Sequence, residues 1–175
     1  VRSFAGARLA ERSDSAEVSA AHACWYKARS ASFAVHVNTA SEGVAAAAAW
    51  GELPNLRAAL ETLAQVDTDE ALLMALELGR LIRPRSSREL QAELLAIALA
   101  GADERSDPDL RAMAEAARAA AAFVHGDRAA PAAVAAACER AVGPRARAFV
   151  LIRAGDMARR QGDAELATSR LEAAV

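Results

Sequence analysis

Apolar residues recur at helical spacing along most of the chain, and the breaks between runs fall on Gly, Pro, Ser and Asp. Residues 1–12 place Val1, Phe4 and Leu9 near one helical face. A polar break at 13–15 precedes a predicted helix over 16–37, on which Val18, His22, Trp25 and Arg29 share one line, with Phe33 beside it. Residues 38–43 read as a loop, and 45–50 as a short alanine helix that stops at Gly51. Pro54 suits the first turn of the next helix, whose Leu53, Leu56, Leu60 and Leu63 form one stripe. Asp67 or Thr68 breaks it. Residues 69–83 are apolar on most sides (Leu72, Leu73, Leu76, Leu81, Ile82), which predicts a central helix ended by Pro84. Ser86 and Ser87 can cap a following helix that carries Leu90, Leu94, Ile97 and Leu99 before Gly101.

The last third has a clearer rhythm. In SDPDL, Asp107 reads as a cap and Pro108 as the first helical residue of a helix running to about Val124. His125-Gly126-Asp127 is a turn, and Pro131 opens a partner helix ending near Val142. Gly143-Pro144 stops one helix and starts the next, with Phe149, Ile152 and Met157 at helical spacing. Gly162-Asp163 turns the chain into a final helix through Leu166 and Leu171. The turns FVHGD and RRQGD stand 36 residues apart; CERAV and LEAAV align 33 apart. A period near 34 with helix–turn–helix units is the tetratricopeptide spacing. The expected fold is all-α: about nine helices in antiparallel hairpins, stacked in the second half as a tetratricopeptide-like right-handed superhelix. Three segments are expected: helices at 1–43, a bundle at 44–105 and two repeats at 106–175, with the array cut at its C-terminal end.

Composition supports this. Alanine, the best intrinsic helix former, supplies 50 of 175 residues, and aromatic residues only 4%. Net charge is −2, less basic than expected of a general polyanion binder. The charge is uneven: residues 41–107 hold twelve acids against six arginines, read as a solvated helical surface. Cys24 and Cys138 fit neither a disulfide framework nor a zinc pattern, and both read as small hydrophobes in helices. With no signal peptide and no long apolar run, a cytoplasmic location is expected. The chain reads as a piece of a longer protein.

Three segments carry a family resemblance. VRSFAGARLAERSDSAEVSAAHACWYKARSA resembles the stretch after the nucleotide-binding module in large bacterial signal-transduction ATPases, the LuxR-family and NB-ARC-type transcriptional regulators. ELPNLRAALETLAQ is similar to a helix of that family, and Ser86 to Leu99 to the next, with Glu89 in its glutamate position. Tetratricopeptide-like repeats then follow in the family. The departures are Ala21, where the family usually has Arg before the His, and alanine at several consensus aromatic positions. The resemblance implies a regulatory, partner- or effector-sensing segment of a bacterial ATP-dependent transcriptional regulator. The partner is a protein or peptide, or the parent's own ATPase module.

Chemistry-bearing patterns are few. His22, Cys24 and His36 stand at spacings of 2 and 12, so no pair shares a metal on one helix face. There is no nucleophile elbow and no P-loop; Asp67, Asp69 and Glu70 cluster at a helix start, where acids complement the helix dipole. No enzyme activity, cofactor, metal or direct nucleic-acid contact is expected. Trp25, Tyr26 and Trp50 read as core anchors. In tetratricopeptide arrays the first helix of each repeat lines the concave face. The expected lining is therefore Phe149, Ile152, Asp156, Arg159 and Arg160, with Met113, Ala116, Ala120, Phe123 and Val124 from the preceding repeat. An apolar floor with arginines at one end suits an extended acidic or amphipathic peptide. The alternative is a small-molecule sensor with an effector pocket between the leucine-rich helices over 53–99. At the cut end, Leu166, Leu171 and Val175 are expected to face solvent and to support a homodimer.

Overall fold

A computed structural model describes residues 14–82 and 88–175. Among them stand eight helices and no strand: α1 (Ser15–Ala34), α2 (Glu42–Val66), α3 (Thr68–Ile82), α4 (Arg88–Ala100), α5 (Pro108–Phe123), α6 (Ala130–Arg140), α7 (Pro144–Gln161) and α8 (Ala164–Glu172). The expected helix over 1–12, the Pro84 stop and the Ser86–Ser87 cap lie outside the described residues.

Two sequence expectations need correction. The break at Gly51 does not occur: α2 runs unbroken through Gly51 and Pro54. Its buried face explains why. Ala45, Ala49, Leu56, Leu60 and Leu63 form one continuous stripe with half-buried Leu53, so burial along the whole helix outweighs two local breakers. Trp50, Gly51 and Pro54 lie on the exposed side, where water can take the carbonyl that Pro54 leaves without a donor.

The second correction concerns α1. The line through Val18 and Trp25 faces solvent, with Trp25 56% exposed. The buried line is Ala23, Ser30 and Phe33, with half-buried Tyr26. Trp50 is also exposed, at 39%, so neither tryptophan is a core anchor. Cys24 is exposed too, and only Cys138 is partly buried. A helix meeting its neighbour through Ala and Ser can approach closely, and that leaves the bulky residues outside. Tyr26 does reach inward: its hydroxyl donates to Glu52 (3.2 Å) and accepts from Asn55 (2.8 Å) on α2.

The leucine stripe and the central helix are as the pattern predicts. Leu56 and Leu60 are fully buried, and eight of the fifteen residues of α3 are buried. α3 packs against α1, α2, α4 and α5. A second core lies between α5, α6 and α7, built mainly of alanines with Val134, Val150 and Met157.

The two final hairpins turn by one device. Gly126 and Gly162 adopt the left-handed conformation (φ +85° and +83°). The N–H groups of Asp127 and Asp163 reach back to the carbonyls of Ala122 and Ala158, at 3.3 and 3.0 Å. Asp163 then caps α8 by accepting from the Leu166 N–H at 2.9 Å. Asp107 caps α5 through the N–H groups of Asp109 and Leu110.

A second repeated device joins successive units. Asp69, the second residue of α3, accepts from the backbone N–H of Asp107, the cap of α5 (2.8 Å). Asp109, the second residue of α5, accepts from the N–H groups of Val142 (2.7 Å) and Gly143 (2.9 Å), just before α7. A Cβ at Gly143 would push that carboxylate aside, so glycine keeps the joint as it stands. The second residue of α7 is Arg145, which cannot accept. α3, α5 and α7 thus pack side by side in order, while α4 and α6 fill in behind them.

Candidate functional site

The first helices of the units bound a groove. α5 forms its floor with Ala117, Ala120 and Phe123, joined by Val124 just past its end. α3 and α4 form one bank, and α7 the other. The groove encloses a hollow of about 100 Å³. Its chemistry is apolar below and cationic above. Arg80 and Arg88 stand on the first bank, and Arg153 and Arg160 on the second. One acid, Asp156, lines it and engages Arg159 at 3.4 Å.

Two arginines are held in place. The Arg153 guanidinium lies 4.4 Å from the centroid of the Phe149 ring, a cation–π contact. Arg88 donates to the side-chain carbonyl of Gln91 at 3.0 Å. Gln91 is only 5% exposed, and its amide nitrogen donates to the Gly79 carbonyl at 2.9 Å. That assignment of the amide is forced, because an arginine only donates and a carbonyl only accepts. Outside the groove, His125 beyond α5 lies 3.0 Å from Glu89.

Of the residues singled out by sequence, Ala120, Phe123, Val124, Phe149, Asp156 and Arg160 come together in the groove. Met113 and Ala116 do not reach it. Ala116 is buried, and Met113 packs between the two cores. Ile152 is 40% exposed, and Arg159 also points to solvent. The groove face of α7 is Phe149, Arg153, Asp156 and Arg160, at steps of four, three and four. That stripe was visible in the sequence; choosing Ile152 and Arg159 rotated it by about one residue, or ~100°. Gly79, Arg80, Arg88 and Gln91 left no such signal, since only the packing of α3 and α4 against α5 brings them in.

At the far end, Leu166 and Leu171 are exposed and Val175 fully so. Leu171 lies against Gly155, where a Cβ would meet its side chain at 2.8 Å. Leu166 lines a small hollow with Cys138, whose thiol pKa is raised by burial.

Among the described residues no three His, Cys, Asp or Glu side chains group as metal ligands, and no helix is long and apolar enough to cross a membrane. Compared with protein-family models, with curated proteins and with solved structures, the chain matches none.

Proposed function

We propose that this chain is a regulatory protein-interaction segment of a bacterial ATP-dependent transcriptional regulator, working in the cytoplasm. The groove is where it engages its partner, a protein or peptide or the parent's own ATPase module. The observation that carries the interaction reading is the apolar floor with four arginines above it, in a chain of net charge −2. The regulator reading rests on the resemblance in the first hundred residues. The tetratricopeptide-like right-handed superhelix is part of the proposal. The side-by-side order of α3, α5 and α7 and the two matched turns support it. Binding at the groove would shift an off/on equilibrium by differential affinity. No catalysis, bound nucleotide or direct DNA contact is assigned to these residues.

A small-molecule sensor is less well supported. Ligand pockets usually enclose ~300–1,000 Å³. The groove's hollow is about 100 Å³, a wider one beside Ala96 and Leu99 is about 260 Å³, and both are shared with α5 rather than confined to 53–99. For the exposed Leu166, Leu171 and Val175 we propose a homodimer contact.

Reading the coding DNA upstream of the Val1 codon tests the regulator reading. An in-frame nucleotide-binding module with a P-loop supports it, and an open reading frame lacking one overturns it. Sedimentation at rising concentration tests the dimer. Val175→Glu with Leu166→Glu should abolish concentration-dependent association; a monomer throughout removes the contact.

A further inference from the structure

We infer that the groove reads a short acidic segment carrying one large apolar residue. Its acids meet the arginines of the two banks, and its apolar side chain fills the hollow beside Gly79. This deepens the interaction reading above and rests on it.

The charge fixes the sign of the ligand. The lining holds Arg80, Arg88, Arg153 and Arg160 against Asp156, which already engages Arg159. Arg80 and Arg160 make no side-chain hydrogen bond or ion pair among the described residues, although the charge of Arg80 also acts on the nearby Glu77 carboxylate. Arginines on opposite banks can take carboxylates on both sides of one chain.

The hollow fixes the apolar residue. At about 100 Å³ it has room for one large aliphatic side chain. Gly79 stands inside α3, where glycine is a poor choice, and a Cβ there would meet nothing within 4 Å. Packing therefore gives no reason for the glycine. Its missing side chain lets the hollow reach the α3 backbone.

Gln91 makes the site built rather than incidental. A buried amide bonded to the Gly79 carbonyl and to Arg88 restrains that guanidinium beside the hollow before any ligand arrives. A restrained arginine loses less freedom on binding. Single-stranded nucleic acid fits less well. It stacks bases on open aromatic faces, and Arg153 already covers Phe149.

The test uses the whole 175-residue chain and labelled synthetic peptides followed by fluorescence anisotropy. The probe carries a leucine between two pairs of glutamates in a Gly-Ser frame. Saturable binding with a Kd on the order of micromolar is expected, weakening as salt rises. Replacing the leucine of the probe by alanine should weaken binding about tenfold while the salt dependence persists. Arg88→Ala and Arg160→Ala should each weaken it by a similar factor. Gly79→Leu should fill the hollow and erase the difference between the leucine and alanine probes, with the melting curve kept. The peptide comparison needs no folded variant, so it decides even where a substitution unfolds the chain. Equal binding of a lysine-for-glutamate probe overturns the proposal, as does indifference to the leucine or no binding at millimolar peptide. Complete displacement by an oligo-dT 12-mer would assign the groove to nucleic acid instead. An upstream P-loop together with a silent peptide titration would sink this inference and leave the regulator reading standing.

Discussion

The α2–α4 region and the α5–α8 region use the same unit, a helix packed on the next, but they hold it together differently. The first is filled by leucines: Leu56, Leu60, Leu72, Leu78, Leu81 and Leu94 are all fully buried. The second buries Ala112, Ala116, Ala130, Ala137 and Ala146, with Val134, Val150 and Met157 as its large residues. Alanine lets helices approach but removes little apolar area from water. The second region adds polar joints to that thin filling, as the first does where Arg57 meets Glu93 at 2.7 Å. Asp109 grips the backbone before α7, and Glu115 holds Arg111 within α5 (3.1 Å) and Arg140 across the α5–α6 hairpin. Helix order alone does not report stability; what fills the space between helices does.

The largest test of that contrast is core truncation. Leu60→Ala, at a fully buried position, should cost about 2–5 kcal/mol. Val150→Ala, equally buried in the alanine region, removes fewer carbons and should cost roughly half as much. Denaturant titrations of the two variants decide the matter. Equal losses would mean that the alanine region is as densely filled as the leucine region.

The joint is the next largest. Asp109→Ala leaves the N–H groups of Val142 and Gly143 without their acceptor, and because Val142 is exposed and Gly143 half-buried, so that water takes up part of the bonding, the loss should be about 1 kcal/mol. Hydrogen exchange should quicken at those two amides and through α7 and α8, with α3 unchanged. Uniform acceleration across the chain would show that the two regions unfold as one, and the contrast would then be only compositional.

Much of this was legible in the sequence, and the misses have physical causes. The all-helical class, the leucine stripe on α2, the central α3 and the two Gly-Asp turns follow from periodicity and turn chemistry. Those signals sit within a dozen residues. The failures came where tertiary burial reversed a local rule. Gly51 and Pro54 look like a helix break, yet the apolar stripe runs past them. Trp25 looks like an anchor, yet Ala23 and Ser30 face the core because α1 meets its neighbour through small residues. Asp69 reads as a dipole-compensating acid and Asp109 carries no signal of its own, and their grip on the following unit appears only when chain segments 33 to 38 residues apart are brought together. Half of the groove was readable from the α7 stripe. The other half, Gly79, Arg80, Arg88 and Gln91, depends on how α3 and α4 meet α5.

A titrating group in the leucine region gives a third test. Burial raises the pKa of Glu77, and the Glu70 carboxylate raises it further; Arg80 and Arg145 oppose both. The folded chain therefore holds the Glu77 proton more tightly than the unfolded chain does. Stability falls as pH rises from the ordinary glutamate range through the raised folded value, and the cost persists at neutral pH. Glu77→Gln removes the charge while keeping the shape. Its melting temperature should exceed that of the parent at pH 7, and the two should converge once pH drops below about 4. A variant that melts lower at pH 7 would mean that the Arg80 and Arg145 attractions outweigh burial.

The smallest expected effect reverses the role of alanine. Ser30 lies 1% exposed on the buried face of α1, and its hydroxyl finds no hydrogen-bond partner among the described residues. Two residues on, Ser32 is exposed and donates to the Arg29 carbonyl at 2.6 Å. An unpartnered buried hydroxyl is a cost, and alanine is also the better helix former, by about half a kcal/mol. Ser30→Ala should therefore raise stability by up to ~1 kcal/mol, while Ser32→Ala should stay within ~0.5 kcal/mol of the parent. Paired denaturant titrations resolve a difference of that size. A destabilised Ser30→Ala would show that the hydroxyl is bonded in solution. A gain would show that alanine is a weak filler only where a larger apolar residue could fit. Between α1 and its neighbours, where the space has already closed around Ala23, it is the residue the fold favours.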